Sequence, residues 1–145
     1  MTEQPTLPAD SAGFVPTDED IRGVLDWFAA YDAAATEGNV EVMADMAHFP
    51  INVVTNDGDG NGSAESWDRE RFLARMGEMS GSGGEVAMES ARTPVFLTKD
   101  LVFVVTDARI TVGDHVTEVR YGDLLVRADG RWVFQTMVQG GWGAN

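Results

Sequence analysis

The chain has no cysteine, one lysine (Lys99), two histidines (His48 and His115) and no long run of apolar residues. Without cysteine there is no disulfide framework, no thiolate metal site and no cysteine nucleophile, and redox chemistry assigns no compartment. Two histidines far apart in sequence argue against a zinc site. No stretch approaches the ~18 apolar residues of a membrane span. The first residues carry neither a basic region nor an apolar one, so no secretory leader is expected, and the cytoplasm is the default location. Residues 1–16 are polar and unpatterned, as in a mobile arm. Phosphate-binding G-x-x-x-x-G-K-[ST], G-x-S-x-G and H-E-x-x-H signatures are missing as well.

Positive charge is scarce too. Ten Lys and Arg face 24 Asp and Glu, for a net charge of −14. Such a surface repels phosphate backbones and anionic lipid, which disfavours nucleic-acid and membrane partners.

At 145 residues, 43% of them hydrophobic, the chain is sized for one domain over residues 17–145 with a core of its own. Its C-terminal third reads as three consecutive strands over residues 101–112, 116–127 and 131–139. They break at Gly113-Asp114 and Asp129-Gly130, where a turn needs positive φ. Upstream, Thr17 can cap a helix whose apolar positions Ile21, Val24, Leu25, Phe28 and Tyr31 follow helical spacing, and Gly38 can end it. A second helix is expected over residues 40–47, closed by Pro50. A strand at 51–55 and another at 64–67 flank a Gly/Asp/Asn loop, and a third helix covers 69–79. Residues 80–84 (SGSGG) break the pattern, and residues 85–97 return as a strand kinked at Pro94. Helices segregated over an antiparallel sheet make an α+β fold. A strongly curved sheet closed by three helices forms a cone with a hollow suited to a small molecule.

This order resembles the nuclear transport factor 2-like superfamily, which includes ketosteroid isomerases, scytalone dehydratase, limonene epoxide hydrolase and polyketide-cyclase-like domains. The residues that carry the likeness are Tyr31 in YDAAATEGN, the helix WDRERFLARM (67–76) and the strand-turn-strand end DGRWVFQT (129–136). The resemblance implies a cone-shaped fold, a homodimer through the outer sheet face and cofactor-independent isomerase, cyclase, dehydratase or epoxide hydrolase chemistry. In the isomerases a first-helix tyrosine and a protonated aspartic acid form an oxyanion hole beside an aspartate base. Tyr31 matches the tyrosine, and Asp123 matches the acid if the Asp129-Gly130 turn is one residue shorter. The base position falls near Thr55, which is no proton acceptor at neutral pH, so steroid isomerase activity is not implied.

The candidate catalytic residues are therefore Tyr31, Asp123 and His48. Each has a plainer reading: Tyr31 as a core tyrosine, Asp123 as a surface acid, His48 as the structural end of a helix. Leu124 and Leu125 conflict as alternating positions, so periodicity leaves the direction of Asp123 open. Trp27, Thr55 and Tyr121 are expected as contacts to a small apolar ligand. Gln135, Met137 and Gln139 share one face of the last strand, which the resemblance places at the floor of the cone. The competing reading is a non-catalytic dimeric module whose cavity is plugged by its own side chains.

One motif stands apart. Asp57-x-Asp59-x-Asn61-Gly62, with Asp68 in twelfth position, fits a calcium loop. A strand precedes it instead of a helix, Ala64 is small where a bulky apolar residue usually anchors, and Asp replaces the bidentate Glu. No metal is assigned.

Overall fold

The computed structural model describes residues 13–80 and 86–140. The SGSGG segment beyond Ser80 and most of the expected N-terminal arm lie outside these residues.

Helix α1 (Asp18–Thr36) begins with a capping box. The Thr17 hydroxyl accepts from the Asp20 amide at 3.1 Å and the Asp20 carboxylate accepts from the Thr17 amide at 2.8 Å. It ends in a Schellman turn: Asn39 N–H reaches the Ala34 carbonyl and Gly38 N–H the Ala35 carbonyl, at 2.9 and 3.1 Å. Gly38 supplies the φ of 69° that this turn requires. Asn39 then caps α2 (Val40–Asp45).

The second helix is shorter than its composition suggests. β1 (Ala47–Asn56) starts directly after it, so Pro50 lies inside a strand and does not terminate a helix, and His48 is a strand residue. β2 (Gly62–Trp67), α3 (Arg69–Ser80), β3 (Val86–Thr98), β4 (Leu101–Val112), β5 (His115–Ala128) and β6 (Arg131–Gln139) follow. The three long C-terminal strands stand where β-branched and aromatic residues place them. Gly113 (φ 60°), Asp129 (φ 52°) and Gly130 (φ 80°) make their turns.

All six strands form one sheet in the order β2-β1-β6-β5-β4-β3. It is α+β with three helices, as expected, but the sheet is mixed and not purely antiparallel, because β1 runs parallel to β6. Parallel neighbours need a long crossover, and the whole stretch from β2 to β5 provides it. The expected kink at Pro94 is displaced as well: β3 keeps register with β4 through Pro94 and shifts only between Phe96 and Thr98. β3 is an edge strand, the place in a sheet where a proline is tolerated.

β6 carries a bulge at Gln135: Leu124 pairs with Thr136, whereas Leu125 pairs with Phe134. Side-chain alternation therefore reverses parity there. Trp132 and Phe134 fall on the inner face with Met137 and Gln139, and Gln135 drops out of that set. Its amide donates to the Pro50 carbonyl at 3.4 Å, opposite the irregular start of β1.

The inner face and the helices bury Val24, Phe28, Ile51, Phe72, Val102, Val104, Leu125 and Phe134 as one cluster. Phe134 is its centre, with ring centroids 5.7 Å from Phe72, 5.4 Å from Tyr31 and 6.1 Å from Trp27. α1 is tied to β6 by Trp27 Nε1–H, which donates to the Trp132 carbonyl at 3.0 Å.

On the outer face the Phe103 ring lies over Gly122. A Cβ at Gly122 would stand 2.4 Å from Phe103 Cζ, so the ring would have to leave its seat. Gly122→Ala is expected to destabilise the protein by about 1–3 kcal/mol, the range for overpacking. In a Phe103→Ala background the same change should cost much less, and denaturant midpoints across the double-mutant cycle measure the difference.

Candidate functional site

Two rows of cross-strand neighbours on the inner face build the site. One is polar: Arg92 on β3, Thr106 on β4, Tyr121 on β5 and Gln139 on β6. The adjacent row is Pro94, Val104, Asp123 and Met137 on the same four strands. Asp123 thus points inward, with fully buried Val104 on one side and nearly buried Met137 on the other. α1 closes the space with Trp27, Phe28, Tyr31 and Asp32, and Met76 of α3 and Phe134 complete the wall. The cavity, which is partly open to solvent, measures about 160 Å³.

Arg92 organises the polar row. Its side chain is 7% exposed, and its guanidinium makes two bonds to the Asp32 carboxylate. Nε–H donates to the Thr106 hydroxyl at 3.1 Å and Nη2–H to the Tyr121 hydroxyl at 3.3 Å. The Phe28 ring lies 4.3 Å away, a cation–π contact. Four of its five N–H bonds thus find an acceptor and the charge is paired, as a buried cation requires.

Asp123 has no such partner. Burial pushes its carboxyl up from the ordinary 3.8 to about 7; the Arg92 charge opposes this and the Asp32 charge adds to it. The Tyr31 hydroxyl is also pushed upward, first by burial and next by the Asp123 charge. Both line the cavity, and neither takes a hydrogen bond from another described residue. The cavity wall thus carries the Tyr31 hydroxyl and a carboxyl that holds its proton below about pH 7, each with a hydrogen to give.

The other sequence candidates divide in two. Trp27, Tyr121, Met137 and Gln139 stand round the same cavity as Tyr31 and Asp123. His48 is exposed on β1, and Thr55 on that strand and Gln135 in the bulge also lie outside the cavity wall. Composition and spacing did not single out Asp32 or the Asp32–Arg92 pair. The available signal was Arg92 amid the small and apolar residues of MESARTPVF, in phase with Pro94 and Phe96. Two carboxylates of the calcium-like loop accept hydrogen bonds from the chain itself. Asp57 Oδ1 accepts from the Asp59 and Asn61 amides at 2.9 and 3.0 Å, and Asp68 caps α3 through the Arg71 amide at 2.8 Å. On the outer face, a wider open trough runs beside Arg109–Glu118 and Arg120–Asp107, where the charges are paired with each other.

The raised Asp123 midpoint has a definite sign. Below pH 3.8 the carboxyl is protonated whether the chain is folded or unfolded; between 3.8 and about 7 the folded state alone holds the proton. Stability therefore falls as pH rises through that window, by at most about 1.4 kcal/mol per pH unit from this group. Asp123→Asn removes the dependence. Urea titrations at pH 5 and pH 7 should show the wild type losing roughly 2 kcal/mol more than the variant across that interval.

By sequence the chain matches no protein-family model and no curated protein. By structure it is similar to many solved proteins. One is a proposed dehydratase of the nuclear transport factor 2-like family from Streptomyces avermitilis, with a TM-score of 0.66 and 12% identity over 88% of this chain and 99% of that one. Another is a nuclear transport factor 2-like protein of unknown function from Shewanella oneidensis, with a TM-score of 0.65 and 14% identity over 83% of this chain and 98% of that one. A third is a proposed scytalone dehydratase from Novosphingobium aromaticivorans, with a TM-score of 0.62 and 14% identity over 86% and 94% of the two chains. With its three helices on a curved six-stranded mixed sheet, the chain has the nuclear transport factor 2-like fold.

Proposed function

We propose that the chain binds a small molecule in the cavity between α1 and the sheet and presents Tyr31 and Asp123 to one oxygen of it as paired hydrogen-bond donors. The observation that supports this reading most is the placement of Asp123 in an apolar row, facing a cavity that the unpaired Tyr31 hydroxyl also lines. Two donors that reach the same bound oxygen stabilise it as it gains negative charge. A carboxyl with its midpoint at about 7 holds acid and carboxylate in similar amounts near neutrality, so it both delivers and retrieves a proton. That combination suits isomerase, cyclase, dehydratase or epoxide hydrolase chemistry on a carbonyl or epoxide, carried out without a cofactor. Proposed dehydratases among the structural neighbours favour the same range.

His48 plays no part in this reading, being exposed and outside the cavity. The alternative, a module with a plugged cavity, is disfavoured by the open space itself. Its dimer stays part of the proposal. Val95 and Leu101 on the outer sheet face are 48% and 37% exposed, beside the Phe103 and Leu124 row. An apolar sheet face of this kind suits a second copy of the chain.

Two measurements test these statements. Tyr31→Phe and Asp123→Leu should each weaken binding of a small ketone that raises the melting temperature, by about tenfold, the worth of one well-placed hydrogen bond. Unchanged affinity in both would overturn the donor-pair reading. For the assembly, Val95→Asp with Leu101→Asp should convert a dimer into a monomer in sedimentation equilibrium, and a wild-type monomer would refute it.

A further inference from the structure

The walls of the cavity specify more than binding. We propose that it takes a neutral, single-ring molecule bearing one acceptor oxygen, and that the Asp32–Arg92 ion pair excludes the corresponding anion. This rests on the reading of the cavity as a ligand site.

Size is the first argument. A cavity of about 160 Å³ is close to the ~150 Å³ apolar cavity that accepts benzene in an engineered protein core. Two fused rings exceed that volume, so the second ring must either displace Phe28, Phe134 or Met137, which are 3%, 2% and 7% exposed and packed into the core, or stand out in the open mouth and forgo their apolar contact. Wall chemistry is the second. Phe28, Trp27, Tyr31 and Phe134 offer aromatic surface, whereas the unpartnered donors stand at Tyr31, Asp123 and the Gln139 amide. A flat apolar ring with a single oxygen acceptor satisfies both, and a second polar substituent would lose its water against Phe134 or Met137.

Charge is the third argument. Arg92 is the one cation among the described residues that line the cavity. In most sites a buried arginine marks a carboxylate or phosphate ligand. Here Asp32 already occupies both Nη groups, Thr106 takes Nε–H and Phe28 covers the guanidinium face. An incoming carboxylate would have to displace Asp32 while standing beside Asp123, in a chain that carries a net charge of −14. Asp32 is in effect a built-in anion on the one cation among the described cavity residues, and it turns an anion site into a neutral one.

The test uses three probes on the full chain at pH 6, read by melting temperature and tryptophan fluorescence: acetophenone, benzoate and 2-acetylnaphthalene. Acetophenone and benzoate are nearly equal in size and differ in charge, while the naphthyl ketone keeps the oxygen and adds a ring. Acetophenone should bind at least about tenfold more tightly than either of the others, in line with the cost of an uncompensated buried charge or a forced wall. Asp32→Asn, which frees the Arg92 guanidinium, should then improve benzoate binding by about tenfold or more. If that variant does not fold, the ranking in the wild type decides alone. Benzoate or the naphthyl ketone binding as well as acetophenone overturns the inference and leaves the ligand site standing. No response to any of the three overturns both.

Discussion

The bond between Arg92 and Asp32 is the constraint on which the rest of the site depends. A guanidinium buried on the inner face of β3 must find an anion, and the nearest comes from α1, one residue after Tyr31. Satisfying Arg92 therefore also sets the rotation of α1 and brings Tyr31 over the cavity. Trp27, one turn earlier, fixes the same helix to the Trp132 carbonyl of β6. Between these two anchors the helix has little freedom to turn, so the positions of Trp27, Phe28, Tyr31 and Asp32 over the sheet follow together.

The same ion pair shapes the electrostatics. Because Arg92 is neutralised, it lowers the Asp123 midpoint less than a free cation would, and Asp32 adds a push in the other direction. Burial decides the outcome. Val104 and Met137, the cross-strand neighbours of Asp123, give it nothing to bond. One step along the strands, the row holding Thr106 and Tyr121 has the polar groups that Arg92 needs. Two adjacent rows of one sheet thus hold an arginine kept charged and an aspartic acid kept neutral. Segregating charge in this way is how one small cavity holds a proton donor beside an ion pair without the two cancelling.

Much of the fold was legible because local rules and tertiary packing agree. The Thr17 capping box, the spacing through Tyr31, the Gly38 ending and the turns at Gly113 and Asp129-Gly130 are all encoded within a few residues of where they act. Non-local features were not legible. Nothing near Ala47 announces that β1 pairs parallel to the last strand of the sheet, and Pro50 argued for a helix end when it sits in a strand. The bulge at Gln135 is a second case. A strict two-residue period places Gln135 with Met137 and Gln139, but one extra residue in β6 sends Phe134 inward in its stead. The ambiguity at Asp123 came from Leu124, which is apolar although it faces outward; the pairing of Leu125 with Phe134 settles the phase. Arg92 was visible as a charge in a strand, yet its partner on a helix 60 residues earlier was not.

The account turns on Asp123 holding its proton near neutrality inside the folded protein. The most direct measurement is a pH titration of the Asp123 side-chain carboxyl by ¹³C nuclear magnetic resonance, assigned by comparison with Asp123→Asn. A midpoint at about 7 is the predicted result. A midpoint near the ordinary 3.8 would mean a hydrated carboxylate, and the paired-donor site would not exist.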